Sequence, residues 1–249
     1  DRVIFAGSSN GLLFKSSDGG DNWDQIALYA GPDPFQIRSI ALSPDYTDDD
    51  TLFVATSGPD AGSSGLGVLR STDDGASWDQ VLPFEQPFFG SPSLVISPAE
   101  NWSDDTVLAA FPEVGALFLS TNRGDTWTSA GDGLGNAVVE ALCMAPDYRG
   151  GGFVWAGTRG DGVFLWNVGV TRAWRPSNRG LSAYHVPAIA VSSLFSIDHF
   201  ILAGSPSGGV FRSDDSGRTW QPANLGLPFQ DRSVYALALS PYRLSTLGV

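Results

Sequence analysis

The stretch SSDGGDNW at residues 16–23 recurs along the chain as STDDGASW at 71–78, STNRGDTW at 120–127 and SDDSGRTW at 213–220. Each copy carries serine, aspartate or asparagine, glycine and tryptophan at the same offsets. A degenerate stretch, NVGVTRAW at 167–174, keeps the tryptophan, so five tryptophans follow one another at intervals of 55, 49, 47 and 46 residues. A period of this length predicts a repeat architecture of five units.

The residues between these turns have the pattern of short strands. In one unit, RSIALSPDY at 38–46 is followed by TLFVATS at 51–57 and GVLRSTDDGASWDQV at 67–81. Apolar runs separated by Gly, Pro, Ser and Asp are typical of antiparallel strands joined by hairpins. Four such strands per unit, repeated radially, predict an all-β fold: a five-bladed β-propeller of four-stranded antiparallel blades.

The two ends of the chain supply parts of the same unit. RVIFAGS near the N-terminus matches the second strand of a blade, and YALALSPYRLSTLGV at the C-terminus matches a first strand. Pairing of these strands is expected to close the ring and remove an exposed sheet edge. The alternative that the chain is trimmed from a longer propeller stays open. We predict one domain over 1–249, with blades at 233–249 joined to 1–29, 36–84, 90–132, 137–178 and 185–227.

The repeated turn is expected to be structural. An aspartate two positions after serine accepts hydrogen bonds from backbone N–H groups of its own turn. The glycine permits a positive φ, and the tryptophan folds its apolar face over the hairpin. The fourth unit loses the polar residues but keeps Trp174, as a packing role would allow. The predicted structural residues are Ser16, Asp18, Gly20, Trp23, Ser71, Asp73, Gly75, Trp78, Ser120, Asn122, Gly124, Trp127, Ser213, Asp215, Gly217 and Trp220.

The pattern SxDxGxxW resembles the Asp-box, or BNR repeat, of sialidases, sortilin-type receptors, xyloglucan hydrolases and photosystem assembly factors. The resemblance covers nearly the whole chain and implies the propeller fold. It implies no single activity, because these families share the turn and not the chemistry. The sialidase resemblance would imply an arginine clamp, and its characteristic RIP-type arginine near the start is missing. The xyloglucan-hydrolase resemblance would imply a cleft between two rings, which one five-bladed ring does not form.

Composition and spacing exclude several kinds of site. The net charge of −13, with one lysine and thirteen arginines against twenty-seven acids, disfavours nucleic acid and anionic membranes as partners. No apolar run is long enough to span a membrane. His185 and His199 lack a nearby cysteine pair, and the aspartates at 48–50 lack the alternating ligands of a calcium loop. We therefore expect no metal and no cofactor, and we expect Cys143 to be a buried, unreactive thiol.

A partner is expected to bind at one face of the ring, here called the mouth. In a propeller the loops that lead into first strands and those that join second to third strands share this face, opposite the Asp-box turns. Specificity on a repeated scaffold normally lies in such variable loops. Aligning the first strands gives one mouth residue per blade, with two further candidates nearby: Arg38, Pro92, Glu140, Pro187 and Tyr235, and then His185 and Arg232.

Two alternatives remain open at this face. The mouth residues either contact a ligand or protein, or Arg38 and Glu140 pair with each other beside water in the channel. Phe84, Phe88 and Phe89 in the loop PFEQPFF either form an exposed apolar patch or tuck over the blade edge.

The sequence favours a non-enzymatic propeller that serves as a protein–protein interaction or scaffold subunit. The resemblance to assembly factors and receptors suggests an extracytoplasmic assembly, whether secreted, periplasmic or at the cell surface. The alternative is a glycan-binding or glycoside-hydrolase-type propeller, similar to sialidases or xyloglucanases. Such an enzyme needs two carboxyl groups at a defined separation, and with twenty-seven acids the sequence singles out no pair.

Overall fold

The computed structural model describes residues 3–28, 35–60, 62–83, 88, 90–97, 105–146, 152–168, 170–171, 173–228 and 232–240. Within these ranges the chain is built from short strands with two one-turn helices, α1 (Tyr46–Asp49) and α2 (Phe195–Asp198), and a 3₁₀ turn at Pro112–Val114. In chain order, strands β1 to β19 are Ile4–Gly7, Leu13–Ser16, Asp24–Ile26, Gln36–Leu42, Leu52–Ser57, Val68–Ser71, Asp79–Leu82, Ser93–Ile96, Val107–Phe111, Ala116–Ser120, Thr128–Ser129, Val139–Met144, Phe153–Thr158, Val163–Asn167, Arg175–Pro176, Ala188–Val191, Ile201–Ser205, Gly209–Ser213 and Gln221–Pro222.

The strands form five sheets in simple sequence order. Four sheets contain four strands each, β4 to β7, β8 to β11, β12 to β15 and β16 to β19, and the described part of the first sheet contains β1 to β3. Neighbouring strands in these sheets are antiparallel, and the first strands of successive four-stranded sheets lie beside one another. This arrangement confirms the predicted all-β propeller with five blades.

The apolar core lies between successive blades. Second strands β5 and β9 are buried along their whole length, because a neighbouring blade covers each of their faces. Trp155 of the fourth blade packs edge-to-face on Phe195 of the fifth, with ring centroids 5.0 Å apart. Fully burying a large apolar side chain of this kind stabilises a fold by about 1.5–3 kcal/mol. The blades are therefore held together mainly by side chains between the sheets.

The four Asp-box turns share one hydrogen-bond pattern, shown here for residues 71–78. The Ser71 hydroxyl accepts a bond from the Gly75 N–H at 2.8 Å and donates to Oδ1 of Asp73 at 2.8 Å. The same Asp73 oxygen accepts the N–H of Ser77 at 2.8 Å. Gly75 has a φ of +89°, which a residue with a Cβ adopts only with strain. The serine is thus the buried centre of the turn, and the aspartate is bonded on its outer side.

The tryptophans connect each turn to the rest of the molecule in two ways. In the second blade the Trp78 indole donates to the carbonyl of Gly75 at 3.1 Å, within its own turn. Trp174 and Trp220 instead reach the preceding blade, where their indoles donate to the carbonyls of Ala130 at 2.8 Å and Ser177 at 2.7 Å. Both rings are almost fully buried. This hydrogen bond between blades explains why the fourth unit keeps Trp174 although it lacks the rest of the motif.

The segment 232–240 lies against the fifth blade. The N–H of Val234 donates to the carbonyl of Ser205 at 3.2 Å, and its side chain faces Gly204. Gly7 of the first blade faces β4 in the same way, so the segment takes the place of a following blade's first strand. No ladder between 232–240 and β1 is seen among the described residues. Closure of the ring therefore stays a prediction.

Candidate functional site

A pocket of about 370 Å³ opens at the mouth of the propeller. It is formed by loops that lead into first strands and by loops that join second to third strands. Its walls come from the third, fourth and fifth blades and from the segment 232–240. The lining residues are Gly90, Ser91, Pro112, Glu113, Glu140, Arg159, His185, Pro187 and Tyr235.

Glu140 owes its position to a β-bulge at the start of β12. Val139 pairs with Thr158 and Ala141 pairs with Gly157, which leaves Glu140 as an extra residue without a partner across the ladder. A bulge of this type bends the strand and re-aims the side chain of the extra residue. The bulge thus accounts for a carboxylate at the rim of a strand that is otherwise apolar.

The charged residues of the pocket form one connected network. Nε of Arg159 donates to Oε1 of Glu140 at 2.6 Å, and Nη2 of Arg159 donates to Oε1 of Glu113 at 2.5 Å. Nε2 of His185 lies 2.7 Å from the second oxygen of Glu140. The hydrogen bonds that Arg159 donates to Glu113 and Glu140 raise the pKa of its guanidinium above its already high value. Arg159 is therefore a permanent cation held between two carboxylates.

The remaining walls of the pocket include two prolines and an aromatic side chain. Tyr235 is 64% exposed and borders the pocket from the segment 232–240. Pro112 and Pro187 form rigid parts of the rim. An exposed aromatic ring beside charged groups is a suitable surface for a ligand that has both apolar and polar parts.

The structure brings together four of the residues that the sequence placed at the mouth: Glu140, His185, Pro187 and Tyr235. Arg38 occupies the matching bulge in β4, but its Nε donates to Oγ of Ser57 at 3.2 Å and its Nη2 donates to Gln36. The alternative in which Arg38 pairs with Glu140 is wrong, because Arg38 is bound by Ser57 and Gln36 and Glu140 is bound by Arg159 and His185.

The other predicted partner-binding residues lie elsewhere. Arg232 lines a separate pocket of about 440 Å³ beside β18, together with Ser207 and Ser233. Phe88 is only 1% exposed, and its ring packs edge-to-face on Phe111 with centroids 5.2 Å apart. An exposed patch that includes Phe88 is therefore wrong, since its ring belongs to the core between blades. Phe84 and Phe89 lie outside the described residues.

Sequence reasoning missed two residues of the network, Glu113 and Arg159. Glu113 lies in the 3₁₀ turn between β9 and β10, and Arg159 follows the end of β13. Both positions belong to loops between second and third strands, which the propeller prediction already assigned to the mouth. That assignment could have identified Glu113 and Arg159 as candidates, but it did not distinguish them from the other residues of these loops.

Asp49, one of the aspartates considered for calcium binding, is bonded within its own loop. Asp49 accepts a bond from the Ser43 hydroxyl at 2.7 Å and another from the Thr51 N–H at 2.9 Å, so it organises its own loop. In the part of the chain that the structure describes, no group of three or more His, Cys, Asp or Glu side chains converges to hold a metal ion. None of the described helices has the length and apolar character needed to cross a membrane.

Cys143 lies on β12 in a shallow apolar groove across the first strands, beside Leu42, Val95 and Met144. The residue is half-buried, and burial raises the pKa of its thiol to about 12. The thiol therefore stays protonated near neutral pH and behaves as a small apolar group.

The known proteins that resemble this chain in sequence or structure include enzymes and an assembly factor. A xyloglucanase of Paenibacillus sp. is 26% identical over 252 aligned residues, which cover 85% of this chain and 23% of the enzyme. The structure of YCF48 bound to D1 peptide superposes with a TM-score of 0.59 at 21% identity, over 88% of this chain and 62% of that one. The GH74 enzyme of Niastella koreensis gives 0.62 at 23% identity, over 88% of this chain and 29% of the enzyme.

These similarities differ in what they establish. The chain spans less than a quarter of the length of the xyloglucanase that it matches. The structural matches, at these low identities, support the propeller fold. The family model of the photosynthesis system II assembly factor YCF48 matches residues 4–194, which is most of the chain. The chain therefore belongs to the family of the photosynthesis system II assembly factor YCF48.

Proposed function

We propose that this chain is a non-enzymatic interaction module that binds a protein partner through the pocket at the mouth. The observation that carries the proposal is the convergence of Glu113, Glu140, Arg159 and His185 in one pocket beside an exposed Tyr235. A small set of placed polar groups beside an aromatic side chain is typical of recognition sites. The YCF48 structure with a D1 peptide supports this proposal, because a protein of the same family has a peptide ligand.

The test is a comparative affinity purification from the source organism, with mass spectrometry of the retained proteins. Wild type is compared with the mouth variants Glu140→Gln and Tyr235→Ala and with the turn variant Asp73→Ala. We expect a specific protein that wild type and Asp73→Ala retain and that both mouth variants lose. Retention of every partner by the mouth variants would refute the proposal, provided that all four proteins have normal circular dichroism spectra.

A second candidate function is glycan binding or glycoside hydrolysis, which the similarity to a xyloglucanase over 85% of the chain favours. The pocket offers two carboxylates, Glu113 and Glu140. Both are bound by the same Arg159, whereas the carboxyl groups of a glycosidase flank the scissile bond. Incubation with xyloglucan oligosaccharides tests this candidate. Turnover that Glu113→Gln or Glu140→Gln abolishes would favour the enzyme over the interaction module.

The proposal also keeps three expectations from the sequence: the partner is not nucleic acid, no cofactor is needed, and the assembly lies outside the cytoplasm. Cell fractionation with an antibody against the chain tests the location. A signal confined to the cytoplasm would refute the proposed location, and the proposal that a partner binds at the mouth would be unaffected.

A further inference from the structure

The charges around the mouth pocket do not balance. Glu113 and Glu140 supply two negative charges and Arg159 supplies one positive charge, so the pocket carries −1 when His185 is neutral. The whole chain carries −13, which adds a negative background field. The pocket is therefore more favourable for a cation than for an anion.

The two carboxylates differ in their remaining capacity to accept hydrogen bonds. Both oxygens of Glu140 are engaged, one by Arg159 and one by His185. Glu113 uses only Oε1 toward Arg159, and among the described residues its Oε2 accepts no hydrogen bond. Glu113 also lies on a short turn of the rim, where its side chain is partly exposed. An incoming donor can therefore bind this oxygen without breaking the network.

Tyr235 lines the same pocket and presents most of its ring to solvent. A cation over an aromatic face gains an attraction of about 0.5–1 kcal/mol at an exposed site. A carboxylate oxygen and an aromatic face along one pocket suit an ammonium or guanidinium group. The volume of about 370 Å³ is near the lower end for ligand pockets, which suits one side chain or chain end.

We propose that the mouth pocket recognises a positively charged group of a peptide, either a Lys or Arg side chain or a free N-terminal ammonium, with Glu113 and Tyr235 as its contacts. This inference rests on the proposed function, since it names the ligand class of the same site. Binding of a peptide carboxylate to Arg159 is the opposite outcome. It is disfavoured because that guanidinium already holds two carboxylates.

The experiment is a selection of random heptapeptides with free N-termini, displayed on phage, against the immobilised chain. A Glu113→Gln chain serves for counter-selection. The matched control is Asp105→Asn. Asp105 pairs with Arg123 at 2.6 Å, and Arg123 lies in the Asp-box turn at 120–127, so the change removes one carboxylate charge from an ion pair on the opposite face. We expect peptides enriched in Lys or Arg at a fixed position, or peptides that bind through the N-terminus.

Calorimetry on one selected synthetic peptide then identifies the source of the charge. Two changes to the peptide are compared: replacement of its basic residue by Gln, and acetylation of its N-terminus. We expect only one of them to weaken binding, by about tenfold, which is the loss expected when one hydrogen bond between charged groups is removed. Glu113→Gln should cause a similar loss and Asp105→Asn should cause none. Binding should also weaken as salt is raised.

Two outcomes would overturn the inference: selection of acidic peptides, or no peptide whose binding depends on Glu113. These outcomes are distinguishable from failure of the proposed function. If mouth variants lose the native partner while selected peptides lack a basic group, only the ligand class is wrong. If mouth variants keep every native partner, the mouth is not the interaction site.

Discussion

At the scale of single residues, the serine of the Asp-box turn contributes more than its place in the sequence motif indicates. Ser71 is 1% exposed and is the acceptor for the Gly75 N–H, whereas Asp73 lies at the surface. Ser71→Ala leaves that buried N–H without its acceptor, which costs about 1–3 kcal/mol. Asp73→Ala should lower the free energy of unfolding by less, since water can replace the lost carboxylate. Urea denaturation of both variants checks this order, and a larger loss for Asp73→Ala would contradict it.

The Asp-box carboxylates also predict a dependence of stability on pH. Hydrogen bonds from Ser77 and Ser71 lower the pKa of Asp73, and bonds from Asn22 and Ser16 lower that of Asp18. A group with a lowered pKa in the folded state contributes stability above its unfolded value of about 3.9. That contribution is lost as pH falls from there through the folded pKa. We expect urea midpoints to fall in this acidic window.

The matched variant is the double substitution Asp18→Asn with Asp73→Asn. Asn122 already fills this position in the third blade, where its Oδ1 accepts the Thr126 N–H at 2.9 Å. The double variant should fold and should lose less stability than wild type between neutral pH and the acidic window. An identical fall in both proteins would assign the acid sensitivity to other groups.

Single residues also show what the sequence could not provide. Glu140 was predicted because the first strands align on a common pattern, and His185 because it lies near the aligned position of the next blade. The partner of Glu140 was not predictable, because it depends on distances across loops of different length. Arg159 reaches Glu140 from one such loop, and Glu113 reaches Arg159 from another. The sequence therefore placed candidates at the correct face but did not identify which of them touch.

At the scale of elements, a glycine in β13 couples the scaffold to the pocket. A Cβ at Gly157 would lie 2.2 Å from the carbonyl oxygen of Val186, in the segment that carries His185 and Pro187. Gly157→Ala must push that segment outward. We expect a loss of about 1–3 kcal/mol in the free energy of unfolding, as for overpacking of a core, together with weaker binding at the mouth.

The control for this prediction is Gly160→Ala, three residues along the same blade. A Cβ at Gly160 would meet no atom within 4 Å, and its φ is not in the left-handed region. Its melting temperature and partner binding should match those of wild type. If Gly157→Ala behaved like Gly160→Ala, the segment at 185–187 would not be held by β13 in the way described.

The elements themselves were largely predictable because the local pattern and the fold agree. The runs LFVA around Phe53 and VLAAF around Leu108 are apolar, as is expected of strands buried on both faces. The bulges at Arg38 and Glu140 were not predictable, since an extra residue in a strand leaves no distinct trace in a short apolar run. These bulges direct side chains toward the mouth. The feature of the strands that the sequence did not predict is therefore one that shapes the candidate site.

At the scale of the whole molecule, the interfaces between blades account for stability, and ring closure predicts one more of them, between the first and fifth blades. In the second to fifth blades the turn region packs against the blade before it, whereas Trp23 of the first blade is 43% exposed. The segment 232–240 already contacts the fifth blade through Val234 and Ser205. Closure would bring this segment beside β1 and complete the first blade.

Deleting residues 233–249 tests closure of the ring. If the ring closes through this segment, the deletion exposes the edge of β1 with its unpaired backbone groups, and we expect aggregation or loss of cooperative unfolding. Deleting only 241–249 leaves the contact of Val234 intact and is the matched control. Amide hydrogen exchange in the 233–249 deletion distinguishes ring closure from packing of this segment on the fifth blade alone. If the ring closes, exchange becomes faster in Ile4–Gly7, whereas packing on the fifth blade alone predicts faster exchange only near Ser205. A soluble 233–249 deletion with unchanged stability and slow exchange in β1 would show that the two ends do not meet.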